Sequence, residues 1–70
     1  MITRNSVQST NVISVGYDET SQTLEVEYKD GSVYQYYNVP EAIYEQLMVS
    51  PSIGKFIHQN IKNAYAFGRV

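Results

Sequence analysis

Cysteine and tryptophan are missing from this 70-residue sequence, and only two prolines and four glycines punctuate it. Without cysteine there is no disulfide, no thiolate metal site and no thiol nucleophile. No apolar run is long enough to span a bilayer. The opening Met1-Ile2-Thr3-Arg4-Asn5-Ser6 lacks the apolar stretch of a signal peptide, so a soluble cytoplasmic protein is the expectation. Acidic residues stop at Glu45, although lysine and arginine continue to Arg69. A chain this short makes one domain and buries only about 60% of the surface its unfolded form exposes. Packing has to supply the stability that disulfides and metals do not.

Seven tyrosines and two phenylalanines are the material for that packing, and each tyrosine hydroxyl needs water or a partner. Residues 1–10 are polar without a sustained period and read as an arm that joins the sheet at most by its end. Residues 11–17 read as a strand, with Ile13, Val15 and Tyr17 on one face and Val12, Ser14 and Gly16 on the other. Asp18-Glu19-Thr20-Ser21-Gln22 is a polar break. Thr23 to Tyr28 alternates, with Leu24, Val26 and Tyr28 facing away from Thr23, Glu25 and Glu27. Asp30-Gly31 supplies the positive backbone dihedral of a hairpin, and Val33 to Tyr37 returns.

The loop length decides where the tyrosines point, because a one-residue slip inverts every side chain. A two-residue turn aligns Tyr34 and Tyr36 with Glu25 and Glu27. A three-residue loop, Lys29-Asp30-Gly31 with glycine at the bulge, aligns them with Leu24, Val26 and Tyr28. Keeping one continuous apolar face selects the second.

Pro40 suits the first position of a helix, and Glu41 complements its positive end. Ala42, Ile43, Tyr44 and Leu47 form its apolar stripe, ending near Met48 or Val49. Ser50-Pro51-Ser52 breaks it and caps the next helix with one of its serines. There Ile53, Phe56, Ile57, Ile61 and Ala64 recur at helical spacing, and Gly68 marks the end. The expected fold is α+β: a three-stranded antiparallel meander followed by two helices packed on one face, βββαα, in a single domain of residues 11–70.

Val15-Gly16-Tyr17-Asp18, Leu24-x-Val26-x-Tyr28 and Tyr34-x-Tyr36 after Gly31 stand in the first half of the chain. Val39-Pro40, Ser52-x-Gly54-Lys55-Phe56, Ile61-Lys62 and Tyr65 follow in the second. In this order and spacing, from about Val12 to Val70, they resemble the KTSC domain, a small module named for its occurrence at the C-terminus of some lysyl-tRNA synthetases and found also as free-standing bacterial and phage proteins. The resemblance implies RNA as a class of partner. At Lys62 the family more often carries arginine, so a forked phosphate contact is weakened there.

Net charge is only mildly negative, but the last third is locally positive. Lys55, Gln59 and Lys62 fall at i, i+4 and i+7 and would share one helical stripe, with His58 and Arg69 nearby. These five are the candidate phosphate contacts, set against an ordinary solvated helix face. Tyr34 and Tyr36 are candidate base-stacking residues if exposed, set against a role in the core. His58 has no second histidine or cysteine to form a metal site and no acid on its helix to orient it as a base, so no metal, cofactor or enzymatic activity is expected. Asp18 and Asp30 sit at turns, where bonding to the backbone explains them. The expected function is a small binding module that holds RNA weakly through the basic face of the second helix. The alternative is a protein-interaction module using the acidic sheet face or a sheet edge.

Overall fold

The computed structural model describes residues 2–70. Five antiparallel strands lie in chain order across one sheet: β1 (Arg4–Ser6), β2 (Val12–Asp18), β3 (Thr23–Tyr28), β4 (Val33–Tyr36) and β5 (Phe67–Arg69). Helices α1 (Glu41–Met48) and α2 (Ile53–Phe56) sit between β4 and β5, and α2 runs directly into a π-helical turn over Ile57–Ile61. The three expected strands are the central ones. The correction is at the edges, where a piece of the polar arm pairs with β2 and the residues after the last helix pair with β4.

The β3–β4 hairpin has the three-residue loop. Leu24 lies opposite Tyr36 and Val26 opposite Tyr34, and the Gly31 backbone sits at φ +90°. The Tyr28 amide donates to the Ser32 carbonyl, closing the loop. Tyr34 and Tyr36 therefore share the helix-side face with Leu24, Val26 and Tyr28.

In β2 the expected faces are wrong at one end. Val12 pairs with Tyr28 but Ser14 with Glu27, so Ile13 is the extra residue of a β-bulge. The bulge puts Val12 and Val15 together in the core and turns Ile13 to solvent. Alternation is interrupted there, which no period-two count reveals.

Pro40 stands one position earlier than expected, just before α1, with its carbonyl accepting from the Ile43 and Tyr44 amides. Leu47 is buried and Ile43, Tyr44 and Met48 are half-buried, whereas Ala42 is exposed. Ser52 precedes α2 without a side-chain cap, because Ser50 Oγ instead accepts from its amide. Ile53, Ile57 and Ile61 close the core over Val12, Val15, Leu24, Val26, Tyr36 and Val39. Ala64 is exposed, since the helix has already ended in a turn at Lys62, and Gly68 lies in β5 rather than at a helix end.

Candidate functional site

The helices cover the sheet unevenly. Beside the β3–β4 hairpin they leave a cleft of about 440 Å³ on the helix side, within the range of small-ligand sites. Its aromatic wall is Tyr28, Tyr34, Tyr36 and Phe67, and Lys29, Asp30, Ser32, Asn11 and Lys62 complete the lining. The walls follow from register. Tyr34 pairs with Arg69 and Tyr36 with Phe67, so β5 extends the tyrosine face by one phenylalanine and one arginine. The Lys29 amide donates to the Asn11 carbonyl, which holds the start of β2 against the hairpin loop.

Inside this wall Tyr28 and Tyr34 meet edge to face at 5.8 Å. The Phe67 ring lies 5.9 Å from Tyr34 and 5.7 Å from Tyr36. Tyr36 is buried, Tyr34 half-buried and Phe67 about half exposed, so the ring surface open to a ligand belongs to Tyr34 and Phe67. The Tyr28 and Tyr36 hydroxyls are 2.9 Å apart. One donates to the other, which leaves one phenolic proton of the pair for another acceptor. Burial pushes both phenols above the ordinary tyrosine range, and for Tyr28 the bond to Tyr36 adds to the effect.

Asp30 sits at the rim with one carboxylate oxygen engaged. Its Oδ1 accepts from the Ser32 amide (2.9 Å) and the Ser32 hydroxyl (2.6 Å). Those bonds hold its carboxyl below the usual range, and the charge of Arg69 lowers it further. Arg69 is thus electrostatically coupled to the same rim.

Lys62 reaches the cleft because of the π turn. The Lys62 amide donates to the Ile57 carbonyl at 2.8 Å, five residues back. A wider turn rotates less per residue, so Lys62 lags behind the line that 3.6-residue spacing draws through Lys55 and Gln59. Lys62, Tyr34 and Tyr36 therefore come together around the cleft, with Arg69 beside Tyr34. Lys55, His58 and Gln59 are exposed on the preceding turns and do not line it. Phe67, Tyr28, Lys29, Asp30 and Asn11 were not among the expected site residues. The alternation of Phe67 and Arg69 with Ala66, Gly68 and Val70 is the one sequence signal that could have placed Phe67 on the tyrosine face.

The other surfaces differ in character. On the uncovered sheet face, Arg4 Nη1 donates to Glu25 Oε2 (2.8 Å) and Gln35 Nε2 to Glu25 Oε1 (2.9 Å). Ser14 Oγ donates to Glu27 Oε1 (3.0 Å). At the far end from the hairpin, Tyr17 stacks on Tyr44 with centroids 4.8 Å apart, and its hydroxyl donates to the Val39 carbonyl. There the neighbouring charge of Glu19 raises the Glu41 carboxyl above its ordinary range. That end is negative and ill suited to a phosphate. Among the described residues no three histidine, aspartate or glutamate side chains converge to hold a metal, and no helix is long and apolar enough to cross a membrane.

Comparison with known proteins places the whole arrangement. The chain matches a lysine–tRNA ligase of Trichormus variabilis at 41% identity over 51 residues, which is 73% of this chain and 9% of the ligase. An uncharacterized protein of Stutzerimonas stutzeri is 35% identical over 68 residues, covering 96% of both chains. The crystal structure of a KTSC domain protein from Yersinia pestis superposes with a TM-score of 0.96 at 30% identity, over 100% of this chain and 99% of that one. The chain therefore spans about a tenth of the length of the ligases it matches and essentially all of the free-standing relatives. The KTSC domain profile matches residues 8–65, so that β1 and β5 flank the matched segment, and the chain belongs to the KTSC domain family.

Proposed function

We propose that this domain is a non-enzymatic module that binds single-stranded nucleic acid, RNA in particular, weakly and in the hairpin cleft. The observation that carries the reading is the meeting of an accessible aromatic pair, Tyr34 and Phe67, with Lys62 in one cleft of about 440 Å³. An exposed aromatic face stacks any base, at about 1–3 kcal/mol per base, and neighbouring cations hold the phosphates. Arg69 and Lys29 flank the cleft as phosphate contacts, and Lys55, Gln59 and His58 lie further along the strand's path on the helix surface. The occurrence of a similar segment within ligases that by name act on tRNA is consistent with an RNA partner.

The acidic sheet face is the weaker candidate as an interaction surface. Glu25 and Glu27 already accept from Arg4, Gln35 and Ser14, so a protein partner there would have to displace existing bonds.

Titrating an unstructured, mixed-sequence RNA pentamer at low salt and following backbone amide resonances tests the reading. Shifts are expected at Tyr34, Lys62 and Phe67, and Lys62→Ala should weaken binding severalfold. Two or three phosphate contacts should make log affinity fall with log salt at a slope of roughly −1.4 to −2. An absence of shifts at low salt would overturn the reading, as would shifts confined to Glu25, Glu27 and Gln35.

A further inference from the structure

Several features outside the cleft's aromatic wall could carry chemistry. The paired acids Glu19 and Glu41 form only an acidic cluster, and the uncovered sheet face is internally hydrogen-bonded. The polar groups inside the cleft go further, because they are of opposite kinds. Lys62 and the Tyr28–Tyr36 hydroxyl pair supply donors to the lining of this cleft, and Asp30 supplies an ionised acceptor to the same lining. The bonds that Asp30 makes in the hairpin all go to Oδ1. Its Oδ2 accepts no hydrogen bond among the described residues.

From this juxtaposition, and resting on the nucleic-acid reading above, we infer that the cleft selects guanine, with Asp30 accepting from its Watson–Crick edge and Lys62 donating to its O6 and N7. Guanine alone among the four bases offers two acceptors, O6 and N7, on one edge and two adjacent donors, N1–H and the N2 amino group, on the next. The free Oδ2 of a carboxylate fixed by Ser32 has two lone pairs for the adjacent donors, and an ammonium matches the acceptors. Uracil presents one N–H between two carbonyl oxygens and sets those oxygens against the carboxylate. Adenine presents an amino group beside an unprotonated N1 and repels the second carboxylate lone pair. Cytosine gives one amino donor and no more. Stacking on Tyr34 and Phe67 serves all four bases alike, so discrimination falls to Asp30.

The experiment compares the 5′-monophosphates of guanosine, inosine, adenosine, cytidine and uridine, titrated separately into the full chain. The readout is the amide shifts of Ser32, Tyr34 and Lys62. Guanosine monophosphate should bind roughly tenfold to a hundredfold more tightly than the adenosine and uridine forms, as a hydrogen bond to a charged group allows. The inosine form, which lacks only the N2 amino group, should fall between. Asp30→Asn keeps a side-chain oxygen for Ser32 and should lower guanosine monophosphate affinity while raising that of the adenosine form, because an amide NH2 replaces the lone pairs that adenine N1 opposes. Equal affinities for all five, or an equal loss for guanosine and adenosine in Asp30→Asn, would overturn guanine selection and leave nucleic-acid binding standing. Failure of every nucleotide and of the RNA pentamer to shift these amides would overturn both.

Discussion

Gly16 offers a test of whether the polar arm is part of the fold. It lies opposite Arg4 in the β1–β2 ladder. A Cβ added at Gly16 would stand 2.5 Å from the Thr3 carbonyl oxygen, 2.7 Å from Ile2 Cγ2 and 3.1 Å from Arg4 Cγ. The first of these is backbone and cannot rotate away, so Gly16→Ala has to push β1 off the sheet or strain it. Overpacking of this kind costs about 1–3 kcal/mol, offset by the roughly 0.4–1 kcal/mol that alanine gains over glycine through a less flexible unfolded chain. The net loss is at most about 2.6 kcal/mol and centres on about 1.3 kcal/mol, equivalent at the centre to a fall in Tm of roughly 5–10 °C in a domain of this size.

The sign is what makes the test decisive. In a variant lacking residues 1–6 the three clashing neighbours are gone, and Gly16→Ala should be neutral or stabilising by up to about 1 kcal/mol. Urea unfolding of the four proteins closes a double-mutant cycle with a coupling of about 1–3 kcal/mol. If Gly16→Ala changes stability by the same amount in both backgrounds, β1 does not dock against Gly16.

Three further outcomes follow from the packing and the titrating groups. Leu47→Ala removes a fully buried side chain between α1 and the sheet and should cost about 2–5 kcal/mol, a large share of the stability of so small a domain, read from the urea midpoint. Tyr17→Phe should cost about 1 kcal/mol by leaving the Val39 carbonyl without its donor, while the stack on Tyr44 keeps the local fold in the near-ultraviolet circular dichroism. Because the Tyr28 and Tyr36 phenols are raised in the folded state, the unfolded chain loses those protons first. Their contribution is whole below about pH 10 and falls as the pH rises beyond it, by at most about 1.4 kcal/mol per pH unit per group. Tyr28→Phe should flatten that alkaline decline, and an unchanged slope would refute the assignment.

The central hairpin was legible because two independent signals agreed, the alternation of Leu24, Val26 and Tyr28 and the positive-φ demand met by Gly31. Val12 and Ile13 were misassigned to faces because a bulge is an irregularity of pairing, and the residue type at Ile13 does not announce it. Lys62 was expected on a stripe with Lys55 and Gln59 but lines the cleft instead, since spacing arguments presume 3.6 residues per turn and the chain switches to a π turn at Ile57. Asp30 was read as a turn residue, and its Oδ1 bonds to the Ser32 amide and hydroxyl are those of such a turn.

The edge strands escaped for a common physical reason that bears on function. A three-residue strand has too few side chains to show a period, and its conformation is dictated by the open backbone edge it meets rather than by its own propensity. β5 meets β4, so whatever residues follow the helix at that register inherit the inside–outside alternation of the tyrosine strand: Phe67 and Arg69 fall on the side of Tyr36 and Tyr34. Arg69 is thereby folded back onto the aromatic face, while Glu25 and Glu27 are held on the opposite one and Glu19 and Glu41 at the far end. The π turn brings Lys62 to this face and β5 brings Arg69, so two of the three late cations meet the aromatic wall. The cleft is therefore a property of the sheet edge as much as of the second helix, with Phe67 in its wall and Arg69 beside Tyr34.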